Sequence, residues 1–389
     1  MPRAMSLLGV LVLAALSMPQ GVQGQEPPTR SDVERSMGLR SEGDLVRGQL
    51  DTIGFVVTRE QAEDVVARAI QAERQRLVAP PEALVAAVCP HDDHLYASRV
   101  YVPLTERITA PRVVMIGVFH RARLWDLENR LVFDAFEAWH GPWGPVPVDP
   151  LRAELLRELP DDAVVVDNAM HEMEHSLEAI VPFLQHRNRD VTIVPILAPY
   201  MTWDQLTTLS DRLADALVAT LEHHRWKLGK DVALVISSDA VHYGEDFEYS
   251  PFGTDPVGYV RAEAHDRVLA ERHLVGPLVS SNLQGLLHTL VDETDVQRYR
   301  LPWCGRFSIP FGLEVLRKTA ERTGGPVPIG HLLRYGTSLS EAELPVTRET
   351  RDAGLGYTAP SNLHHWVGYA SIGYLAPQHP ETNRSVDVP

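Results

Sequence analysis

Five short segments of this 389-residue chain hold side chains able to do chemistry: Cys89-Pro-His-Asp-Asp-His-Leu-Tyr96, Gly117-Val-Phe-His120, His171-Glu-Met-Glu-His-Ser-Leu-Glu178, Ser237-Ser-Asp-Ala-Val-His-Tyr-Gly244 and Trp303-Cys-Gly-Arg306. Imidazole is a ligand for zinc, copper and iron. His91 and His120 each stand just past a continuous apolar run (residues 84–89 and 113–117), the pattern of a strand buried on both faces. Ligands collect at the carboxyl ends of strands in an α/β sheet. His175 sits where a helix is expected to begin. His91, His120 and His175 are therefore the expected metal ligands, for a divalent or redox ion: Fe, Cu or Zn. Asp239 and His242 follow a third strand end, where a carboxylate would orient the histidine and His242 would move protons. Arg306 has a planar fork suited to a substrate carboxylate.

His171-Glu172-Met173-Glu174-His175 also matches H-E-x-x-H, in which two histidines on one helix face hold zinc and the glutamate is the base. His171 thus joins Asp239, His242 and Arg306 as a candidate catalytic residue, and a zinc-dependent hydrolase is one alternative function. That reading requires one helix through all five residues. Asp167-Asn-Ala169 is poor helix material, and the helical pattern is better from Glu174 onward.

Elements able to position these groups are legible around them. Thr58 and Gln61 form a capping-box pattern ahead of a helix over 58–77. Further helices are expected over 151–159, 174–185, 203–221, 260–272, 281–291 and 310–322. Apolar, β-branched strands are expected over 131–133, 146–148, 164–166, 191–194, 232–236, 331–335 and 367–374. Strand–helix alternation predicts a three-layer α/β/α sandwich around a mainly parallel or mixed sheet. One domain is expected over 51–378, after a flexible leader (25–50) and before a polar tail (379–389).

Residues 1–24 read as an export signal. Arg3 precedes the apolar run Leu7-Leu-Gly-Val-Leu-Val-Leu-Ala-Ala-Leu16, and Val22-Gln-Gly24 is a small-residue cleavage pattern. The run is shorter than the roughly 20 residues that span a bilayer, so a periplasmic or secreted protein without a membrane span is expected. With 36 Lys and Arg against 52 Asp and Glu, the net charge of −16 argues against nucleic acid as a partner; a small-molecule substrate is expected instead. Cys89 and Cys304 are the only cysteines. An oxidising compartment permits a disulfide between them; two separate thiols are the alternative.

Taken in order, these segments resemble the Memo family, whose bacterial members are often labelled AmmeMemoRadiSam system protein B. Pro90-His-Asp-Asp-His-Leu-Tyr96 echoes the family's Pro-His-Ala-Gly-Tyr-x-Tyr, and Gly117-Val-Phe-His120 its Gly-Pro-Ser-His. Residues 171–185, 237–244, 304–306 and 369–371 match the remaining family motifs. The family is similar in fold to class III extradiol ring-cleaving dioxygenases, which hold a non-haem metal with two histidines and a third ligand. The resemblance implies His91 and His120 as ligands, with His175 as third ligand or acid–base residue. The family's third position, Cys or Ser, is Val241 here; Asp92, His94, His175 and His242 are the possible replacements. It also places Trp139, His140 and Trp143 near the site, where they would stack on a substrate or simply pack. The expected function is that of a metal-dependent oxidoreductase or dioxygenase acting on a small molecule, aromatic ones among the candidates, with a non-catalytic binding module as the other alternative.

Overall fold

Parallel strands buried on both faces need helices on both sides, and the sequence supplies them. The computed structural model describes residues 45–77, 83–340 and 343–376; the signal segment, most of the leader and the polar tail lie outside them. The main sheet contains β1 (Ala86–Cys89), β2 (Arg112–Val118), β3 (Leu131–Phe133), β4 (Val164–Val166), β5 (Thr192–Ala198), β6 (Val232–Ser237), β7 (His242–Tyr243), β8 (Gly276–Pro277), β9 (Ile329–Thr337) and β10 (Trp366–Leu375). Their order is β8-β9-β10-β1-β6-β2-β5-β3-β4, with β7 beside β10. Strands β1, β6, β2 and β5 run parallel, in a register that sets Cys89 beside Ser237 and Ile116 beside Ile236. Strands β10 and β3 flank this block antiparallel.

Helices Arg59–Glu73, His94–Thr105 and Val181–Arg187 pack on one another on one side; Trp203–His224, Ser280–Leu290 and Ser308–Arg322 lie on the other. This is the expected three-layer sandwich with a mixed sheet. The capping box at Thr58 and Gln61 is formed as read. Among the described residues, no helix is long and apolar enough to cross a membrane.

Several helical segments differ from expectation, among them the short helix Asn168–Glu172, which Asp167 caps although 167–169 read as poor helix material. The helix His94–Thr105, which carries Pro103 inside it, was not read from the sequence. The helix expected over 174–185 forms only as Val181–Arg187. Before it, the Glu174 carboxylate accepts the backbone N–H groups of His175 and Ser176, and the Ser176 hydroxyl donates to the Val118 carbonyl. These bonds draw the segment onto the end of β2 and compete with helix formation. Gly117 permits the approach: a Cβ there would meet Leu177 Cγ at 2.7 Å and Leu197 Cδ2 at 2.9 Å.

Residues 45–50, read as part of the leader, pack into the domain. Val46–Arg47 pairs with Ala138–Trp139. The Arg47 guanidinium is buried, donates to the carbonyls of His171 and Glu174, and pairs with Glu178 at 2.5 Å. Glu178 also accepts the N–H groups of Leu50 and Asp51. Removing one partner of such a buried pair leaves an uncompensated charge, at a cost of about 3–5 kcal/mol. Arg47→Met is therefore expected to lower the unfolding free energy by about that amount in urea titrations, and Arg47→Met/Glu178→Gln to recover part of it. A single variant as stable as the parent would refute the clamp.

Candidate metal centre

His91, His120 and Asp239 each stand two residues past the last residue of β1, β2 and β6, which are neighbours in the order β1-β6-β2. His175 comes from the loop between helices Asn168–Glu172 and Val181–Arg187, and His242 opens β7. Ring centroids are 5.2 Å apart for His91 and His120, 5.6 Å for His91 and His175, and 4.8 Å for His120 and His175. The sequence reading thus brings together side chains that the fold also brings together. Cys304, which it did not count as a ligand, joins them: Sγ lies 3.3 Å from His120 Nε2 and 3.6 Å from His242 Nε2.

One ligand atom from each of His91, His120 and Cys304 falls within 4.8 Å of the others; the same holds for His120, Glu174 and His175, and for Asp239, His242 and Cys304. Hydrogen bonds discriminate among these sets. Ser237 Oγ gives its one proton to the Ser176 carbonyl at 2.5 Å, so toward His91 Nδ1 at 2.7 Å it accepts. The His91 proton is thereby placed on Nδ1. Nε2 is enclosed without a hydrogen-bond partner, 3.4 Å from Asp239 Oδ2. His120 Nδ1 likewise faces Glu174 Oε1 at 2.9 Å, which turns Nε2 toward Cys304. Glu174 accepts from His120 Nδ1 and from the backbone of His120, His175 and Ser176. Its oxygens are committed, so it orients ligands in the manner of an outer-shell carboxylate. The set whose remaining atoms point at one another is His91 Nε2, His120 Nε2 and Cys304 Sγ, the last two sharing a hydrogen bond at 3.3 Å.

Without an ion the cluster shares protons: burial lowers the His91 and His120 rings, but Asp239 raises His91, and Glu174 and Cys304 raise His120 well above its ordinary value, so binding an ion would release protons. Burial alone would raise the Cys304 thiol, but His242 and His120 outweigh it and hold the group well below its ordinary value. Burial would lower His242, but Cys304 and Asp239 raise it to about 9. A thiolate among imidazoles is a strong metal ligand.

Asp266 keeps the two distant segments of the site in place. This carboxylate, buried on helix Pro256–Leu274, accepts the Trp303 indole N–H at 2.6 Å and the Tyr335 hydroxyl at 2.6 Å, with the Val241 N–H at 3.4 Å. Val241 and Trp303 form an antiparallel bridge, so their chain neighbours His242 and Cys304 are held side by side. An aspartate on the apolar face marked by Ala262, Leu269 and Ala270 was the signal that could have revealed it.

The structure decides between several expected alternatives and corrects other roles. Val241 is a core side chain, and the thiol in the site comes from Cys304. His94 is not a spare ligand: Nδ1 accepts the Val56 N–H at 3.0 Å and Nε2 donates to the Ala179 carbonyl at 2.8 Å. Asp92 accepts the Tyr369 hydroxyl, and Asp93 the N–H and hydroxyl of Thr358. His171 lies outside the cluster, buried edge-on to Trp139 with Nε2 on the Val132 carbonyl. The helix Asn168–Glu172 stops short of His175, so the single-helix zinc site of a hydrolase is not formed. Asp239 accepts the His91 N–H, whereas His242 Nδ1 faces the Ala240 carbonyl at 3.4 Å; the aspartate therefore does not orient His242 as expected. Trp139 is core, His140 bonds the Val57 carbonyl, and Trp143 packs on His186 and Arg189. The aromatic walls of the cavity are instead Phe55, Phe247 and Tyr299. Cys89 and Cys304 are both free thiols. Arg306 does line the cavity, whose volume is about 510 Å³.

Burial pushes His94 and His171 down to about 4 from an ordinary 6.5. As pH falls through 6.5 the unfolded chain takes up these protons and the folded chain does not. Each histidine's contribution to stability is thus complete above pH 6.5 and lost progressively toward pH 4. Mid-window, each contributes a slope of about 1.4 kcal/mol per pH unit. Asp239 and Asp266, raised to about 6, act in the opposite sense, so variant and parent must be compared. His94→Gln is expected to flatten the acid limb by roughly one proton's slope between pH 6.5 and 4. Parallel curves would refute the assignment.

A sequence profile for the Memo-like protein family matches residues 60–345. A MEMO1 family protein of Pyrococcus furiosus is 29% identical over 286 residues, covering 71% of this chain and 85% of its own length. Another from Pyrococcus abyssi is 29% identical over 290 residues, with 71% and 86% covered. One from Thermococcus kodakarensis is 30% identical over 179 residues, covering 43% of this chain and 56% of its own length. The profile spans well over half of the chain and includes every histidine of the cluster and Cys304; the chain belongs to the Memo-like family.

Proposed function

We propose that this protein is a metal-dependent oxidoreductase acting on a small, planar organic molecule, with the ion held by His91 Nε2, His120 Nε2 and Cys304 Sγ. One observation carries the metal site: His91 Nε2 is enclosed and makes no hydrogen bond while Nδ1 is committed to Ser237, its one close neighbour of opposite charge being Asp239 Oδ2 at 3.4 Å. A buried polar atom left unsatisfied costs about 1–3 kcal/mol, and a metal ion would satisfy it. Two imidazoles and a thiolate suit soft or borderline ions, copper, iron and zinc among them. A redox ion there would supply electron transfer and Lewis acidity.

The protein's own groups supply the rest. Ser237 and Glu174 hold the His91 and His120 rings with Nε2 toward the cavity. His175, half exposed beside both rings, is available as a further ligand or as an acid–base group. His242 lines the cavity next to Cys304 and is placed to give or take a proton. Phe55, Phe247 and Tyr299 offer flat apolar faces to a planar molecule. The reading includes export, supported by the apolar run and cleavage pattern of residues 1–24. Amino-terminal sequencing of the protein recovered from its producing cell tests this; a mature chain beginning at Gln25 is expected, and one beginning at Met1 would refute it.

Titration of the metal-free protein with cobalt(II) tests the ligand set. A thiolate-to-metal absorption band is expected and should vanish in Cys304→Ser, with affinity lower by on the order of 100-fold. Val241→Cys should leave affinity unchanged, because its side chain points into the core. A thiolate band that survives Cys304→Ser would overturn the assignment. Oxygen consumption by iron- or copper-loaded protein supplied with small phenols, abolished by His91→Ala, tests the activity.

A further inference from the structure

Interior arginines in this fold are paired with acids: Arg47 with Glu178, Arg152 with Asp134, and Arg317 with Glu314. Arg306 is the exception at the cavity wall. Of its three nitrogens only Nη1 reaches a protein acceptor, the Trp303 carbonyl at 2.9 Å. Nε is enclosed without a partner. Among the described residues no carboxylate pairs with it. Its guanidinium carbon lies 4.7 Å from the Tyr299 ring centroid, a contact that orients the group but does not neutralise it. A guanidinium stays charged throughout the accessible pH range. Arg306 is thus a positive charge without an ion-pair partner among the described residues, in the wall of the cavity that holds His91, His120 and Cys304.

The cavity's other charges set the number of anions it can take. Arg306 is the only arginine or lysine among the described residues lining it, whereas Asp51, Asp92, Asp93, Asp239, Asp246 and Glu248 also face it. One anionic group is attracted to Arg306; a second would meet acids. Tyr299 and Phe247, in the same wall, favour a flat body behind that group.

We propose that Arg306 anchors the single carboxylate of a planar monoanionic ligand, with the ligand body between the aromatic side chains and the His91–His120–Cys304 cluster. This names the substrate class of the site read above, and rests on that reading for the role of the cavity. Arg306 would be the residue that selects a monoanion over a neutral molecule or a dianion.

Calorimetric titration of the metal-free and zinc-loaded protein with benzoate, benzamide and terephthalate tests the proposal. Benzoate is expected to bind at least about tenfold more tightly than benzamide in both forms, the worth of a charge-assisted pair, and terephthalate more weakly than benzoate. Arg306→Gln should abolish the preference for benzoate while zinc affinity, which reports an intact Cys304 turn, is kept; Arg306→Lys should retain part of the preference. No benzoate binding, or equal binding of benzoate and benzamide by the parent protein, overturns the proposal whether or not Arg306→Gln folds. So does a preference confined to the zinc-loaded form and unchanged in Arg306→Gln, because the carboxylate then sits on the metal. Failure of the metal reading has a different signature: no zinc uptake, with a benzoate preference that still depends on Arg306.

Discussion

Glu174 is the group on which the geometry of the centre depends. A buried carboxylate must be surrounded by donors, and this one accepts N–H groups from His120, His175 and Ser176 and the ring N–H of His120. Satisfying it sets the His120 tautomer, closes the loop that carries His175 and draws that loop against the end of β2. The clamp continues outward, since Arg47 holds the carbonyls of His171 and Glu174 and pairs with Glu178. The buried part of such a polar network, here Arg47, Glu174 and Glu178, is stabilising only when every member is satisfied. That requirement couples the segment around residue 47, the 171–178 loop and the end of β2 into one unit.

The centre divides between local and distant supports. His91, His120 and Asp239 follow directly from three neighbouring parallel strands ending at the same level. Cys304 and His242 arrive by another route, through a bridge between Val241 and Trp303 that Asp266 secures from a helix. Gly305 allows this turn to lie against Ser238, where a Cβ would collide with the Ser238 side chain. The thiolate-favouring field at Cys304 is a product of that packing, because both histidines that lower its pKa come from other elements.

Much of the frame was legible in the chain. The apolar runs before His91 and His120, the capping box at Thr58 and the strand–helix alternation each record a local physical preference, and each survives in the fold. The convergence of His91 and His120 was legible for the same reason, since strand ends in a parallel sheet meet along one edge; His175 was placed with them by an expected helix start that does not form and by the family resemblance. Local patterns misled where a long-range bond won. Residues 174–180 read as helix yet form a loop, because Glu174 and Ser176 spend their polar groups on β2. The H-E-x-x-H match failed with it. Residues 45–50 read as leader because nothing nearby in sequence shows a buried partner for Arg47.

The sequence by itself determined the layered class, the strand-end histidines and the family's ordered motifs, since these depend on periodicity and on residues a few positions apart. Only the tertiary structure decided that Cys304 supplies the thiol, that Val241 belongs to the core, that Asp266 ties the two segments together and that Arg306 is left unpaired. The physical reason is distance along the chain: the Cys304–His120 contact spans 184 residues and the Arg47–Glu178 pair 131. Such contacts exist only once the sheet order and the helix packing have brought those segments together, and no local propensity records which acid will meet which base.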